Sequence, residues 1–387
     1  MSVDAMLLFP VCQRLFCLLL VIALAGCASE SPKPVTKTVP APRKAVVKVT
    51  SAPQPKPLTG LALINSLLPQ SLADRSGWGA DILAAFEALG MVPGKEQVCA
   101  VLAEIEQESS FQSEPVVPGL RKIIRRELET RRERYGIPQW LMASTLALKS
   151  PDGRSYDERI EALRTENDVN RLYDDMISEI PFGKKLLADY NPVQTGGPMQ
   201  VSLSFAKSHA ASKPYPFGST DTLRNELFTR KGGLYFGIAY LLDYPASYTN
   251  MTFRFADFNA GRYSSRNAAF QAAVHWLGGV PVAMDGDLLR YKDGVAQEDS
   301  SQTMQALLAL SPQLKMDKAA ILRDLLLEKS FAFEQTALYA RVYALALLMP
   351  RARIPEITVQ GAKVTRKLTT ALYARQVDGR YRDCLKR

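Results

Sequence analysis

Glu108 is the residue of this sequence best placed to handle a proton. It stands in Glu108-Ser109-Ser110-Phe111, at the end of a helix expected over 95–109. On a helical wheel Val98, Val101, Leu102 and Ile105 form one apolar stripe, and Glu108 falls roughly 70° from its centre, beside Val101. A carboxyl leaning on apolar surface has its charged form disfavoured and holds its proton more tightly, which suits a general acid. The wheel alone does not single it out. Glu106 and Glu104 lie at about 90° and 110°, and an exposed last-turn glutamate satisfies the same pattern. Other chemistries are poorly supplied. His209 and His275 have no Ser or Cys partner motif, which argues against a nucleophilic triad. No Cys pair stands at zinc spacing, so no metal is expected. Asp285-Gly286-Asp287 opens like a calcium loop but lacks the later ligands and reads as a turn. No phosphate or dinucleotide fingerprint occurs, and no cofactor is expected.

The elements that must position Glu108 are helical. From Leu58 onward apolar residues recur at three- and four-residue spacing, broken by Gly and Pro. The pattern predicts helices near 59–68, 77–89, 95–109, 118–134, 137–148, 155–163 and 167–179. Further helices are expected near 199–209, 220–242, 265–276, 301–309, 317–327, 333–348 and 366–378. Loops fall at 181–198, 210–219, 245–263 and 279–300, with one short strand near 354–360. The expected class is an irregular all-α assembly without internal repeats.

Four short motifs in one order give this body a resemblance. Glu-Ser-x-Phe at 108–111 is similar to the catalytic motif of the lytic transglycosylases of the lysozyme superfamily. That family continues with Gly-x-Met-Gln, present as Gly197-Pro198-Met199-Gln200 and expected to open a helix. It then has Gly-x-x-Tyr-Leu, present as Gly237-Ile238-Ala239-Tyr240-Leu241, and an aromatic before Asn-Ala-Gly, present as Phe258-Asn259-Ala260-Gly261. The resemblance implies a lysozyme-like helical domain and a reaction run by one glutamate. The acid protonates the glycosidic oxygen, the sugar's N-acetyl group stabilises the developing cation, and the same carboxylate deprotonates the muramyl 6-hydroxyl to leave a 1,6-anhydro product. It assigns that role to Glu108, substrate contacts to Ser109, Gln200 and Asn259, and the groove wall to Met199, Tyr240 and Phe258. Core packing for Met199 and Tyr240, and capping for Gln200 and Asn259, are the alternatives. The chain departs from the family by a long helical insertion, about 115–190. It also has Phe258 where Tyr is common, and Asn191-Pro192-Val193 ahead of the second motif.

The N-terminus bears on the compartment. Arg14 precedes an eleven-residue apolar run that ends in Leu24-Ala25-Gly26-Cys27. This is the pattern of an export signal over 1–26. Its end resembles a bacterial lipobox with Cys27 as the lipidated residue, acylated for stable anchoring. Residues 27–58 are rich in proline and carry Lys33, Lys37, Arg43, Lys44, Lys48 and Lys56 against Glu30, a solvated tether. The formal charge of +9 therefore belongs mostly to the tail, and no nucleic-acid partner is expected. The run from Arg121 to Arg134 reads as a solvated face with i,i+4 pairs. Beyond the signal and Cys27 the chain retains Cys99 and Cys384, which an oxidising compartment would join, or which stay as two buried thiols.

Almost the full length resembles the YaiW-like outer-membrane lipoproteins of proteobacteria. That resemblance rests on Asn191–Val201 and on Phe253–Gly261 with Ser265–Gln271. It implies an envelope lipoprotein in the outer membrane and supplies no reaction. The expected layout is a lysozyme-like domain over 59–295 and a helical C-terminal region over 296–387 packed on it. The expected function is binding or cleavage of peptidoglycan glycan strands. The alternative is a non-catalytic accessory protein that meets a peptide, a glycan or a membrane transporter.

Overall fold

Residues 58–218, 222–292, 295–297, 301–359 and 368–387 are described in the computed structural model of the chain. The export signal, Cys27 and the tether up to residue 57 lie outside the described residues. The body is mostly helical, as the periodicity predicts. Among the described residues no helix is long and apolar enough to cross a membrane.

Three helices open the body: α1 (Gly60–Leu67), α2 (Arg75–Ala88) and α3 (Lys95–Ser109). The segment expected as an insertion, about 115–190, holds α4 (Leu120–Arg134), α5 (Gln139–Leu146), α6 (Tyr156–Glu161), α7 (Glu166–Ser178) and α8 (Gly183–Leu187). Helices α6 and α7 start on capping boxes, Ser155 with Glu158 and Thr165 with Asp168, which satisfy the free N–H groups of each first turn. A two-stranded antiparallel hairpin follows, β1 (Thr195–Gly196) with β2 (Val201–Ser202), Thr195 facing Ser202. Next come α9 (Leu203–Ser212), α10 (Leu223–Phe228), α11 (Arg230–Leu242), α12 (Met251–Ala260) and α13 (Ser264–Gly278). A second small hairpin, β3 (Arg290–Lys292) with β4 (Val295–Gln297), leads to α14 (Gln302–Ala309), α15 (Ser311–Leu314), α16 (Lys318–Leu325) and α17 (Ala337–Leu345). Strands β5 (Thr358–Val359) and β6 (Leu368–Thr369) pair before the long α18 (Thr370–Leu385).

Local chemistry moves several elements from their expected places. Met199 and Gln200 do not open a helix. Gly197 (φ +74°) and Gln200 (φ +50°) turn the chain between β1 and β2, and α9 begins only at Leu203, capped by the Ser202 side chain. The helix expected over 220–242 is cut at Thr229, whose extended backbone and side chain cap α11. The expected loop 245–263 contains α12, started by Asn250, whose side chain accepts from Thr252 N–H. Helix α18 begins at Thr370 and runs on to Leu385, seven residues past its expected end.

Three apolar clusters result. The first joins α1, α2, α3, α9, α11, α12 and α18. It includes the predicted stripe Val98, Val101, Leu102 and Ile105, together with Phe86, Phe236 and Phe255. Each of those fully buried rings contributes about 1.5–3 kcal/mol. The second cluster unites α13 with α14 to α17 around Phe270, Leu307, Phe333 and Val342. The third is small and belongs mainly to the insertion, with Leu120, Leu146, Ile160 and Leu172. Beside it a cavity of about 150 Å³ remains among Ile124, Leu128, Val169 and Met176.

Candidate functional site

Helix α3 ends in left-handed backbone. Ser110 (φ +50°) and Phe111 (φ +59°) are consecutive non-glycine residues in a conformation that costs about 1 kcal/mol each. Phe111 is held there by its edge against Trp78 of α2, ring centres 5.5 Å apart. The Ser109 hydroxyl is turned back into its own helix, donating to Ile105 O at 3.0 Å, and the residue is buried. Glu108, half-buried, stays on the face toward α18.

There Tyr373 meets two carboxyl groups. Its hydroxyl lies 2.5 Å from Glu108 Oε1 and 2.6 Å from Glu104 Oε2. Glu104 is fully buried, and its Oε1 has no hydrogen-bond partner. Burial, and then the charge of Glu108, push the Glu104 carboxyl well above the usual carboxylate range, with Tyr373 and Arg380 pulling the other way. Burial and the two neighbouring carboxylates push the Tyr373 phenol up as well.

One turn earlier on the same helix, the Thr370 hydroxyl donates to Asn259 Oδ1 of α12 at 2.8 Å. Residues three apart share a helix face, so α18 brings Glu108 and Asn259 onto adjacent turns of one surface. Asp257, fully buried, fixes the segment that carries Asn259. It accepts from Tyr263 N–H at 3.1 Å, Ser265 N–H at 2.6 Å, and the hydroxyls of Tyr244 and Tyr248. Burial raises its proton affinity despite these donors.

The other two motifs meet at α11. Met199 is fully buried, and a Cβ on Gly237 would stand 2.4 Å from its sulfur, so only glycine admits it. One turn back, a Cβ on Gly233 would meet Pro198 Cδ at 2.5 Å, which seats the whole hairpin turn on the glycine face of α11. Tyr240, three residues beyond Gly237, packs edge-on against Phe258 at 5.2 Å and Phe205 at 4.8 Å. Arg262 covers Phe205 and Tyr240 with its guanidinium and donates to Tyr240 O at 2.9 Å, capping the end of α11 with positive charge. The four motifs therefore form a chain of contacts: Met199 to Gly237, Tyr240 to Phe258, and Asn259 through Thr370 and Tyr373 to Glu108.

Gln200 stands apart from that chain. Its amide donates to Gly197 O at 3.2 Å and accepts from the Thr195 hydroxyl at 3.3 Å. It borders a cleft closed by Ser113, Glu114 and Pro115 on one side and by Thr165, Glu166 and Asn167 of the insertion on the other. The cleft holds about 10 Å³, no more than one water.

Cys99 of α3 and Cys384 of α18 are joined in a disulfide, with Cα atoms 5.5 Å apart. Tyr373, Ala374, Val377 and Cys384 of α18 lie in the same apolar cluster as α3. Sequence reasoning missed Tyr373, Thr370 and the role of Glu104. A signal existed in the cysteine pair. With Cys99 tied to Cys384, Tyr373 sits about 16 Å back along α18 and Glu108 about 14 Å forward along α3, which aligns them if the helices run antiparallel.

No solved structure matches the chain significantly. A protein of Escherichia coli (strain K12) described as "Uncharacterized protein YaiW" is 44% identical over 374 residues, 95% of this chain and 97% of that one. The family described as "Protein of unknown function (DUF1615)" matches residues 71–387, and with those two matches the chain belongs to the DUF1615, YaiW-like family.

Proposed function

We propose that this chain is an outer-membrane lipoprotein of the cell envelope, anchored by lipidated Cys27, whose lysozyme-like body binds or cleaves the glycan strands of peptidoglycan. Glu108 acts as the acid and then as the base. Asn259 contacts the sugar, and Met199, Tyr240 and Phe258 build the wall behind it, whereas Gln200 holds the β1–β2 turn through its bonds to Gly197 and Thr195. The observation that carries the reading is the meeting of Glu108 and Asn259, 151 positions apart in sequence, on adjacent turns of α18 through Tyr373 and Thr370. Strained backbone at Ser110, Phe111 and Gln200 also supports it, because such strain persists mainly where surrounding structure holds it for a purpose. The test is digestion of intact sacculi with the purified chain, followed by mass spectrometry of the products. Release of anhydromuropeptides that Glu108→Gln abolishes is the expected result. Inactivity toward both sacculi and soluble glycan removes the enzymatic half of the proposal.

A second reading, an accessory protein that binds without cleaving, is favoured by the closed cleft at Gln200 and by the internal hydrogen bonds of its amide. Retention on sacculi that is insensitive to Glu108→Gln supports binding alone. Absence of retention points to a protein partner.

A further inference from the structure

The Tyr373 hydroxyl has one hydrogen and two carboxyl oxygens within 2.6 Å, Glu104 Oε2 and Glu108 Oε1. A phenol donates one hydrogen bond. Were both carboxyls ionised, one of the two short contacts would be oxygen against oxygen with no proton between them, and a wholly buried carboxylate would be left with an unpartnered Oε1. A single additional proton supplies the missing hydrogen in either case, and when it sits on Glu104 it also removes the buried charge. With Glu104 protonated, its O–H donates to the phenol oxygen and the phenol donates to Glu108. With Glu108 protonated, the same two bonds run in the opposite direction.

We propose that Glu104, Tyr373 and Glu108 form one proton-sharing unit that keeps a single acid proton between two carboxyl groups, so that the site works with a pair of carboxyls rather than one. Arg380 of α18, 3.7 Å from Glu106, lowers the proton affinity of Glu104, against the charge of Glu108, which raises it. The two carboxyls then titrate as a pair. Tyr373 and Glu104 are positioning residues, because each reaches the substrate only through Glu108.

What the unit contributes to turnover rests on the glycan reading. The phenol passes its proton to Glu108 and takes one from Glu104. Glu108 gives its proton to the glycosidic oxygen as the C–O bond breaks, and then accepts one from the attacking 6-hydroxyl as the anhydro ring closes. One proton leaves and one returns, so the unit ends as it began.

The test compares the full chain with Glu104→Gln and Tyr373→Phe by infrared difference spectroscopy at pH 7. The glutamine amide donates to the phenol as a protonated carboxyl does, but it has no proton to pass on. The expected result is loss of one protonated-carboxyl C=O band in Glu104→Gln with the circular dichroism unchanged. In Tyr373→Phe that band shifts to the frequency of an acid without its phenol partner. A band unchanged in either variant overturns the proposal. If Glu104→Gln fails to fold, Tyr373→Phe alone decides. Where wild type cleaves glycan, Glu104→Gln is expected to lower the rate about tenfold above neutral pH while KM holds. Wild type that shows the band without cleaving sinks the glycan reading and leaves the shared proton standing.

Discussion

Glu104 is fully buried, and its raised proton affinity links folding to pH. The unfolded carboxyl releases its proton near pH 4.3, whereas the folded one keeps it to higher pH. Above that pH the folded chain binds more protons than the unfolded chain, so this residue's contribution to stability is largest in acid and declines as pH rises toward the folded value. Glu104→Gln removes that slope. Urea midpoints measured from pH 4 to pH 8 should therefore fall less steeply in the variant than in wild type. Parallel curves would show Glu104 ionised in the fold. Asp257 and Glu328, also raised by burial, keep their own slopes in both proteins, so the difference between the curves isolates Glu104.

Helix α18 does two jobs: it presents Thr370 and Tyr373 at one end and Cys384 at the other. The cross-link closes a loop of 285 residues, for which chain entropy assigns about 5 kcal/mol. Replacing both cysteines with alanine should lower the unfolding free energy toward that amount, read as a shift of the urea midpoint under oxidising conditions. A loss under about 1 kcal/mol would mean that apolar packing alone seats α18. Much at this level was legible beforehand. The 95–109 helix has its predicted bounds, and the stripe from Val98 to Ile105 is buried. What escaped had physical reasons. In α12 the spacing of Met251, Phe255 and Phe258 is helical, but Gly261 and the nearby Asn and Ser residues look like a loop. Gln200 adopts a left-handed backbone because the glycine face of α11 draws Met199 inward, a tertiary demand with no local mark. Tyr373 is 265 residues from Glu108, and its own neighbours say nothing about a carboxyl.

Taken together, the chain distributes its apolar mass unevenly. The first cluster is large and densely filled, and the second is anchored by the buried Arg266, which donates to Ser330 O at 2.7 Å. The insertion, by contrast, has a small cluster, a cavity beside it, and exposed Tyr135, Trp140, Phe182 and Tyr190. Regions with few buried apolar contacts open at lower free energy. Hydrogen exchange followed by mass spectrometry should accordingly show peptides from α4 to α7 exchanging well before those from α3 and α18. Simultaneous exchange would show that the insertion unfolds only with the whole. The late position of α18 has one more consequence. A nascent polypeptide interrupted between residues 261 and 370 already contains all four motifs, yet it lacks the segment that joins the first to the last. Whatever Glu108 does must therefore wait for translation to pass that point.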